Sequence, residues 1–167
     1  IVPDLWLCFA PIKKTRTDFI AEKACELGCS RIIPVFTHHT NAERVRADRL
    51  RAHAVEAAEQ CGLTSVPDVA EPLKLGLMLD HWPADRQIMF CDETRTGPDA
   101  RSVLERADPG PWAVLTGPEG GFSGDEVQRL RRMPQAHSVS LGPRILRADT
   151  AAVAALALWQ TALGDWR

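Results

Sequence analysis

The stretch TGPEGGFS, residues 116–123, joins an apolar segment to a helical pattern. The residues before it, WAVLT at 112–116, have the apolar, aromatic and β-branched composition of a buried strand. Ser123 and Asp125 are residue types that open helices, and the helical pattern continues to Arg132. A strand that runs through a glycine-rich loop into a helix is the repeating unit of α/β proteins. This stretch therefore predicts an α/β fold.

The same alternation continues on both sides of this unit. Apolar segments predict further strands at residues 5–10, 31–36, 87–91 and 137–141. Helical spacing predicts further helices at residues 48–61, 102–107 and 150–163. Another helix lies between the first two strands, where Asp18 is suited to cap it and Gly28 to end it. Elements of these lengths imply a mainly parallel sheet with helices on both faces.

Composition indicates one ordinary globular domain. The chain has 167 residues, of which 45% are hydrophobic and 25% charged, enough to bury one core. No apolar run approaches the roughly 20 residues of a membrane span, and no secretory signal stands at the N-terminus. We therefore expect a cytoplasmic protein without a membrane partner. Five scattered cysteines favour reduced, mostly buried thiols over a disulfide framework.

The histidines and cysteines do not predict a metal site. Cys25 and Cys29 stand one helical turn apart, but no second pair follows at the spacing of a structural zinc site. His38 and His39 are adjacent, so their side chains point apart if the segment is extended. Packing is the favoured interpretation of the cysteines, and we expect no bound metal.

A formal net charge of −2 gives the whole chain no general attraction for nucleic acid. Basic residues nevertheless cluster locally, at positions 13, 14 and 16, at 44, 46, 49 and 51, and at 129, 131, 132, 144 and 147. Each cluster is either a solvated surface or a set of phosphate contacts. Any RNA partner must therefore be held by local charge.

The glycine-rich loop has the placement of a ligand site. Ligands of open α/β sheets bind outside the carboxyl ends of strands, where backbone amides and helix N-termini point outward. Glycines also let a ligand approach the backbone closely. The loop matches neither the dinucleotide fingerprint nor the phosphate loop of nucleotide hydrolases, and a simple tight turn is the alternative.

A second loop, LGPRILRADT at residues 141–150, has the same placement between a strand and a helix. Exposing Ile145 and Leu146 is costly, so they either pack on the core or line a pocket for a flat, partly apolar ligand. Asp149 or Thr150 is placed to cap the last helix. Capping and pocket formation are compatible.

Four segments in order carry a family resemblance: KACELG at 23–28, EAAEQ at 56–60, GPEGGF at 117–122 and ILRADTA at 145–151. Together they resemble the 16S ribosomal RNA uracil-N3 methyltransferases of the SPOUT superfamily, over nearly the whole chain. The resemblance implies a C-terminal trefoil knot, one of the rare exceptions to unknotted topology. It also implies a homodimer in which each active site borrows residues from the partner subunit, and 16S ribosomal RNA or the small ribosomal subunit as the substrate.

The resemblance further implies that S-adenosylmethionine lies in the knot. The residues that match its binding loops are Leu115, Thr116, Gly117, Glu119, Gly120, Gly121, Leu141, Gly142, Ile145, Leu146 and Ala148. Arg147 and Arg16 are candidates for contacts with phosphate or the uracil oxygens, stabilising charge that develops on the ring. Glu119 is the third catalytic candidate, as a polar group beside the cofactor, and binding of loop amides is its alternative role.

The chain departs from the family pattern in three places. Family members usually carry Glu at the position of Asp149 and Arg near Leu63, which affects the bonding at the knot and one contact with RNA. They also begin with a small β-barrel that binds RNA, and no segment here supplies one. We therefore expect residues 1–167 to be the catalytic domain of a longer protein. The alternatives are a non-catalytic RNA-binding module and an α/β enzyme that acts on a nucleotide or another phosphate-bearing ligand.

Overall fold

The computed structural model describes residues 2–41, 44–92 and 97–167. Within these residues seven strands form one sheet: β1 (Leu5–Phe9), β2 (Arg31–Phe36), β3 (Asp68–Val69), β4 (Leu73–Lys74), β5 (Gln87–Cys91), β6 (Trp112–Thr116) and β7 (Ala136–Val139). The strand order is β3-β2-β1-β6-β5-β7, with β4 also paired to β2. Each of these pairs is parallel.

Helices cover both faces of the sheet. They are α1 (Lys14–Glu26), α2 (Ala47–Gln60), α3 (Leu75–Asp80), α4 (Ala100–Glu105), α5 (Gly124–Arg132) and α6 (Ala148–Leu163). Helices α1, α4 and α6 pack on one face, and α2 lies against α1. Helices α3 and α5 pack on the other face. The predicted α/β fold is confirmed.

The central strands are buried on both faces, which explains why they read as continuous apolar runs rather than alternating ones. All five residues of β6 are buried, and Trp112 and Val114 face one core while Ala113 and Leu115 face the other. Burial also makes a thiol hard to ionise, and it raises the pKa of Cys8 in β1 to about 12. Four of the five cysteines are buried, as expected, and Cys61 is exposed.

Two predicted helix caps are wrong. Helix α1 begins at Lys14, so Asp18 lies inside the helix, where it is buried and ion-paired with Arg49 at 2.8 Å. Helix α6 begins at Ala148 with Arg147 at the N-cap position, so neither Asp149 nor Thr150 caps it. Asp149 instead stands in the first turn, where a negative charge interacts favourably with the helix dipole.

The C-terminal part of the chain crosses back over the sheet. Strand β7 pairs with β5, whereas α6 packs on α1, α4 and β6. The segment that connects β7 to α6 passes the carboxyl ends of β5 and β6. Ser140 within this segment forms a parallel bridge with Asp99. This course is compatible with the expected trefoil knot.

The end of α6 is fixed by a buried amide. Gln160 is fully buried, donates through Nε2 to the carbonyl of Leu27 at 2.6 Å and accepts through Oε1 from the amide of Asp165 at 3.0 Å. Gly164 packs directly against it. A Cβ at Gly164 would overlap Oε1 of Gln160 and lie 2.8 Å from its backbone Cα.

Replacing Gly164 by Ala is therefore expected to destabilise the protein by about 1–3 kcal/mol, the usual cost of forcing atoms into a packed site. Urea unfolding followed by circular dichroism measures the difference. Gly124→Ala is the matched control, because a Cβ there has no atom within 4 Å. Equal stability of the two variants would contradict the packing described for Gln160.

Candidate functional site

Three neighbouring strands place their carboxyl ends at one edge of the sheet. Strands β6, β5 and β7 are adjacent and parallel, so the residues that follow Thr116, Cys91 and Val139 meet there. A cavity opens at this edge, and its lining is Cys91, Asp92, Thr116, Gly117, Val139, Leu141, Gly142, Arg144, Ile145, Leu146, Ala148 and Ala151. The lining is mainly apolar, as expected of a pocket for a flat organic ligand.

Most of the predicted cofactor residues line this cavity. They are Thr116, Gly117, Leu141, Gly142, Ile145, Leu146 and Ala148. Leu115 does not, because its side chain faces the core on the opposite side of the sheet, near Leu130. Glu119, Gly120 and Gly121 belong to the same glycine-rich loop but lie outside the lining.

The glycine-rich loop has a defined shape. Gly121 adopts a φ of +74°, a left-handed conformation that favours glycine, and its amide donates to the carbonyl of Pro118 at 2.9 Å. The loop ends in a capping box, since Ser123 Oγ accepts from the amide of Glu126 while Glu126 Oε1 accepts from the amide of Ser123. Glu126 Oε2 also accepts from the amide of His38, which joins two loops through one carboxylate.

The second loop forms the outer wall of the cavity. Ile145 is 82% exposed, while Leu146 is half-buried, and both line the cavity. Gly142 has a φ of +113°, another conformation that L residues rarely adopt. The exposed Ile145 thus adds apolar surface at the mouth of the cavity.

A buried carboxylate at the cavity was not predicted. Asp92 follows β5, is buried, and accepts from Arg131 of α5 at 2.7 Å. Cys91, Val139, Arg144 and Ala151 also line the cavity without having been predicted. The one signal for Asp92 in the sequence was its position after a recognisable strand, where ligand sites occur, and that position alone does not identify it.

The three catalytic candidates lie around one second cavity. Its lining is Lys13, Arg16, Glu119, Ile145, Leu146, Arg147 and Ala148. Arg16 Nη1 and Glu119 Oε1 are 3.7 Å apart, so the carboxylate pairs with the arginine. Ile145, Leu146 and Ala148 belong to both cavities and form the wall between them.

Two pairs of neighbouring side chains outside the cavities are in contact. Lys23 and Glu26 pair at 2.7 Å, and hydrogen bonding to the glutamate raises the pKa of Lys23. The segment of His38 and His39 is a turn rather than extended, and the two rings contact edge to face with centroids 4.8 Å apart. Among the described residues, no group of three or more His, Cys, Asp or Glu side chains is placed to hold a metal ion. No helix in residues 2–41, 44–92 and 97–167 is long and apolar enough to cross a membrane.

Comparison with known proteins gives the same fold and a family. The chain is 30% identical over 158 residues to the ribosomal RNA small subunit methyltransferase E of Rickettsia conorii. The alignment covers 92% of this chain and 62% of that protein. The chain thus spans less than two thirds of that relative's length. The crystal structure of the same methyltransferase from Neisseria gonorrhoeae, bound to S-adenosyl methionine, superimposes with a TM-score of 0.87 at 30% identity, over 99% of this chain and 68% of that one.

A more distant structure agrees on the fold. The TrmH/SpoU tRNA modifying enzyme of Aquifex aeolicus superimposes with a TM-score of 0.60 at 13% identity, over 94% of this chain and 74% of that one. The likeness shows that this chain and that enzyme share a fold. The model of the RNA methyltransferase domain matches residues 2–160, and the chain belongs to that family.

Proposed function

We propose that this chain is the catalytic domain of an S-adenosylmethionine-dependent enzyme that methylates N3 of a uridine in 16S ribosomal RNA, in the cytoplasm. The observation that carries the proposal is the pair of adjoining cavities. One has an apolar lining suited to a cofactor, and the other is lined by three cations and one carboxylate. The relatives named as ribosomal RNA small subunit methyltransferases support methyl transfer as the reaction and ribosomal RNA as the substrate.

The residues of the first cavity fit S-adenosylmethionine. Apolar side chains of Val139, Leu141 and Leu146 offer surfaces for an adenine ring, and the glycine backbones of both loops offer amides and carbonyls to its polar edge. Leu115 near the end of β6, and Gly120 and Gly121 in the loop that follows, contribute through their backbone, which does not need their side chains in the cavity. When bound, the cofactor supplies a methyl group already activated by its sulfonium charge.

The residues of the second cavity bind the target uracil. Uridine N3 lies on the pairing edge, so the nucleotide is unpaired or flipped out before it enters the site. Loss of the N3 proton leaves negative charge on the ring, and Arg147 and Arg16 stabilise that charge through the uracil oxygens or hold the adjoining phosphate. Glu119 positions Arg16 through their ion pair. The general contribution of the protein is thus orientation and charge stabilisation.

The active form is a homodimer in this proposal. Ile145 is a large apolar residue that the single chain leaves 82% exposed. Ile145 stands at the wall shared by the two cavities. A partner subunit that covers this region would remove apolar surface from water and close the site at the same time.

Binding of S-adenosylhomocysteine tests the cofactor site directly. We expect saturable binding in isothermal titration, and a loss of at least about tenfold in affinity, or 1.4 kcal/mol, for Gly142→Val. The valine both strains a glycine conformation and places an isopropyl group at the cavity. The measurement gives the affinity and the number of sites per chain.

Gly110→Val is the matched control for that titration. Gly110 also has a positive φ, of +140°, and a Cβ there likewise has no atom within 4 Å, but it does not line the cavity. If both substitutions weaken the affinity of the wild type equally, the loss comes from general backbone strain, and the assigned site is contradicted. Stabilisation by a nucleotide, with none by S-adenosylhomocysteine, would favour the alternative of a phosphate-ligand enzyme.

A further inference from the structure

A groove between α1 and the start of α2 concentrates positive charge. Five cationic side chains and one carboxylate line it: Lys13, Lys14, Arg44, Arg46, Arg49 and Asp18. The chain as a whole has a formal charge of −2, so this surface differs in sign from the rest of the molecule. Such a local field attracts a polyanion that the net charge would not.

One arginine of the groove is held in place before any ligand arrives. Arg49 donates to both oxygens of Asp18 through Nε and to Oδ2 through Nη2, at 2.8–3.3 Å, and its side chain remains 42% exposed. Asp18 is fixed in turn by His53, whose Nε2 lies 3.3 Å from Oδ2. These bonds use Nε and Nη2, so Nη1 has no hydrogen bond to the described residues and can donate to an anion.

Three other cations of the groove carry unneutralised charge. Lys13, Lys14 and Arg44 form no ion pair with another residue in the described parts of the chain. Arg46, in contrast, pairs with Asp48 at 2.6 Å. Phosphate groups are the simplest partners for such side chains, because each neutralised phosphate releases a bound counterion from the nucleic acid.

The groove also adjoins the second cavity. Lys13 lines both, and therefore connects the groove to the cavity of Arg16, Glu119 and Arg147. We infer that the groove binds backbone phosphates of the RNA strand next to the target nucleotide. This inference rests on the proposed function and extends it, since it names the surface that holds the strand outside the reaction site.

The test compares two doubly substituted chains. Lys14→Gln with Arg44→Gln removes two cations of the groove, and Arg51→Gln with Arg106→Gln removes two exposed cations that do not line it. Binding of a single-stranded RNA fragment is followed by fluorescence anisotropy at several salt concentrations. The slope of log affinity against log salt is expected to fall in magnitude by about 1.4 for the groove variant, at about 0.7 per contact, and to stay unchanged for the control.

Equal slopes for the two variants would overturn the inference. Binding of polyglutamate but not of RNA by the wild-type chain would also overturn it, and would indicate an acidic protein as the partner. Titration of the groove variant with S-adenosylhomocysteine separates this inference from the proposed function. If the groove variant binds the cofactor with wild-type affinity and its salt slope is unchanged, the inference about the groove is rejected and the proposed function stands. If the wild-type chain does not bind the cofactor, the proposed function itself is rejected.

Discussion

Under the proposed function, the Arg147→Ala variant is expected to transfer methyl groups to 16S ribosomal RNA about 100- to 1,000-fold more slowly than the wild type. This is the usual effect of removing one group that stabilises the charge developing in a transition state. Arg147 lines the second cavity but not the first, so the affinity for S-adenosylhomocysteine should not change. Incorporation of a labelled methyl group under single-turnover conditions measures the rate.

Two further variants make this result specific. Arg147→Lys keeps the positive charge but loses the planar guanidinium, and should recover part of the rate. Arg132→Ala removes an arginine from α5 that lines neither cavity, and should behave as the wild type. Full activity of Arg147→Ala would remove this residue from the catalytic candidates. Because the Arg147 side chain makes no capping hydrogen bond, the start of α6 does not depend on that side chain.

The Trp159→Ala variant is expected to lose about 3–5 kcal/mol of stability. Trp159 lies in α6, is 1% exposed and belongs to the core between α6 and the sheet. Its removal leaves a large cavity in a region where the packing relaxes only in part. Chemical unfolding monitored by far-UV circular dichroism measures the loss.

Trp159→Phe is the control that separates volume from hydrogen bonding. The indole Nε1 is buried, and no described residue accepts a hydrogen bond from it. Phenylalanine therefore removes an unsatisfied polar group while it keeps most of the apolar volume, and its cost should be well below that of alanine. A phenylalanine variant as unstable as the alanine variant would mean that the indole N–H has an essential partner.

The sequence predicted the central sheet well because burial on both faces leaves an unambiguous pattern. The predicted strands at 31–36, 87–91 and 112–116 have the observed bounds. Glycines at positive φ marked the ends of α1 and α2, as at Gly28 and Gly62. Long apolar runs and glycine stops are local features, and they survive in the folded chain.

Features set by tertiary contacts were not predictable in this way. Asp18 is a residue type that often caps helices, but here it lies inside α1. There it pairs with Arg49, which is 31 positions away in the sequence. Strands β3 and β4 have two residues each and α3 has six, too few for a periodicity to emerge.

The candidate site was predictable where it had a motif. Both loops were visible as glycine- and proline-containing joints between a strand and a helix. Asp92 had no motif, since a single acid after an apolar run has many explanations until the neighbouring strands are known. The two adjoining cavities depend on the return of the chain past β5, which no local pattern encodes.

The exposed Cys61 offers a practical advantage for experiments on this protein. It directly follows α2, whose other end begins the basic groove, so it lies a whole helix away from that groove. The other four thiols are buried, which slows their reaction with maleimides. A fluorophore or spin label can therefore be attached at one position of the unmodified chain, and distances or anisotropies can be recorded while both cavities stay accessible.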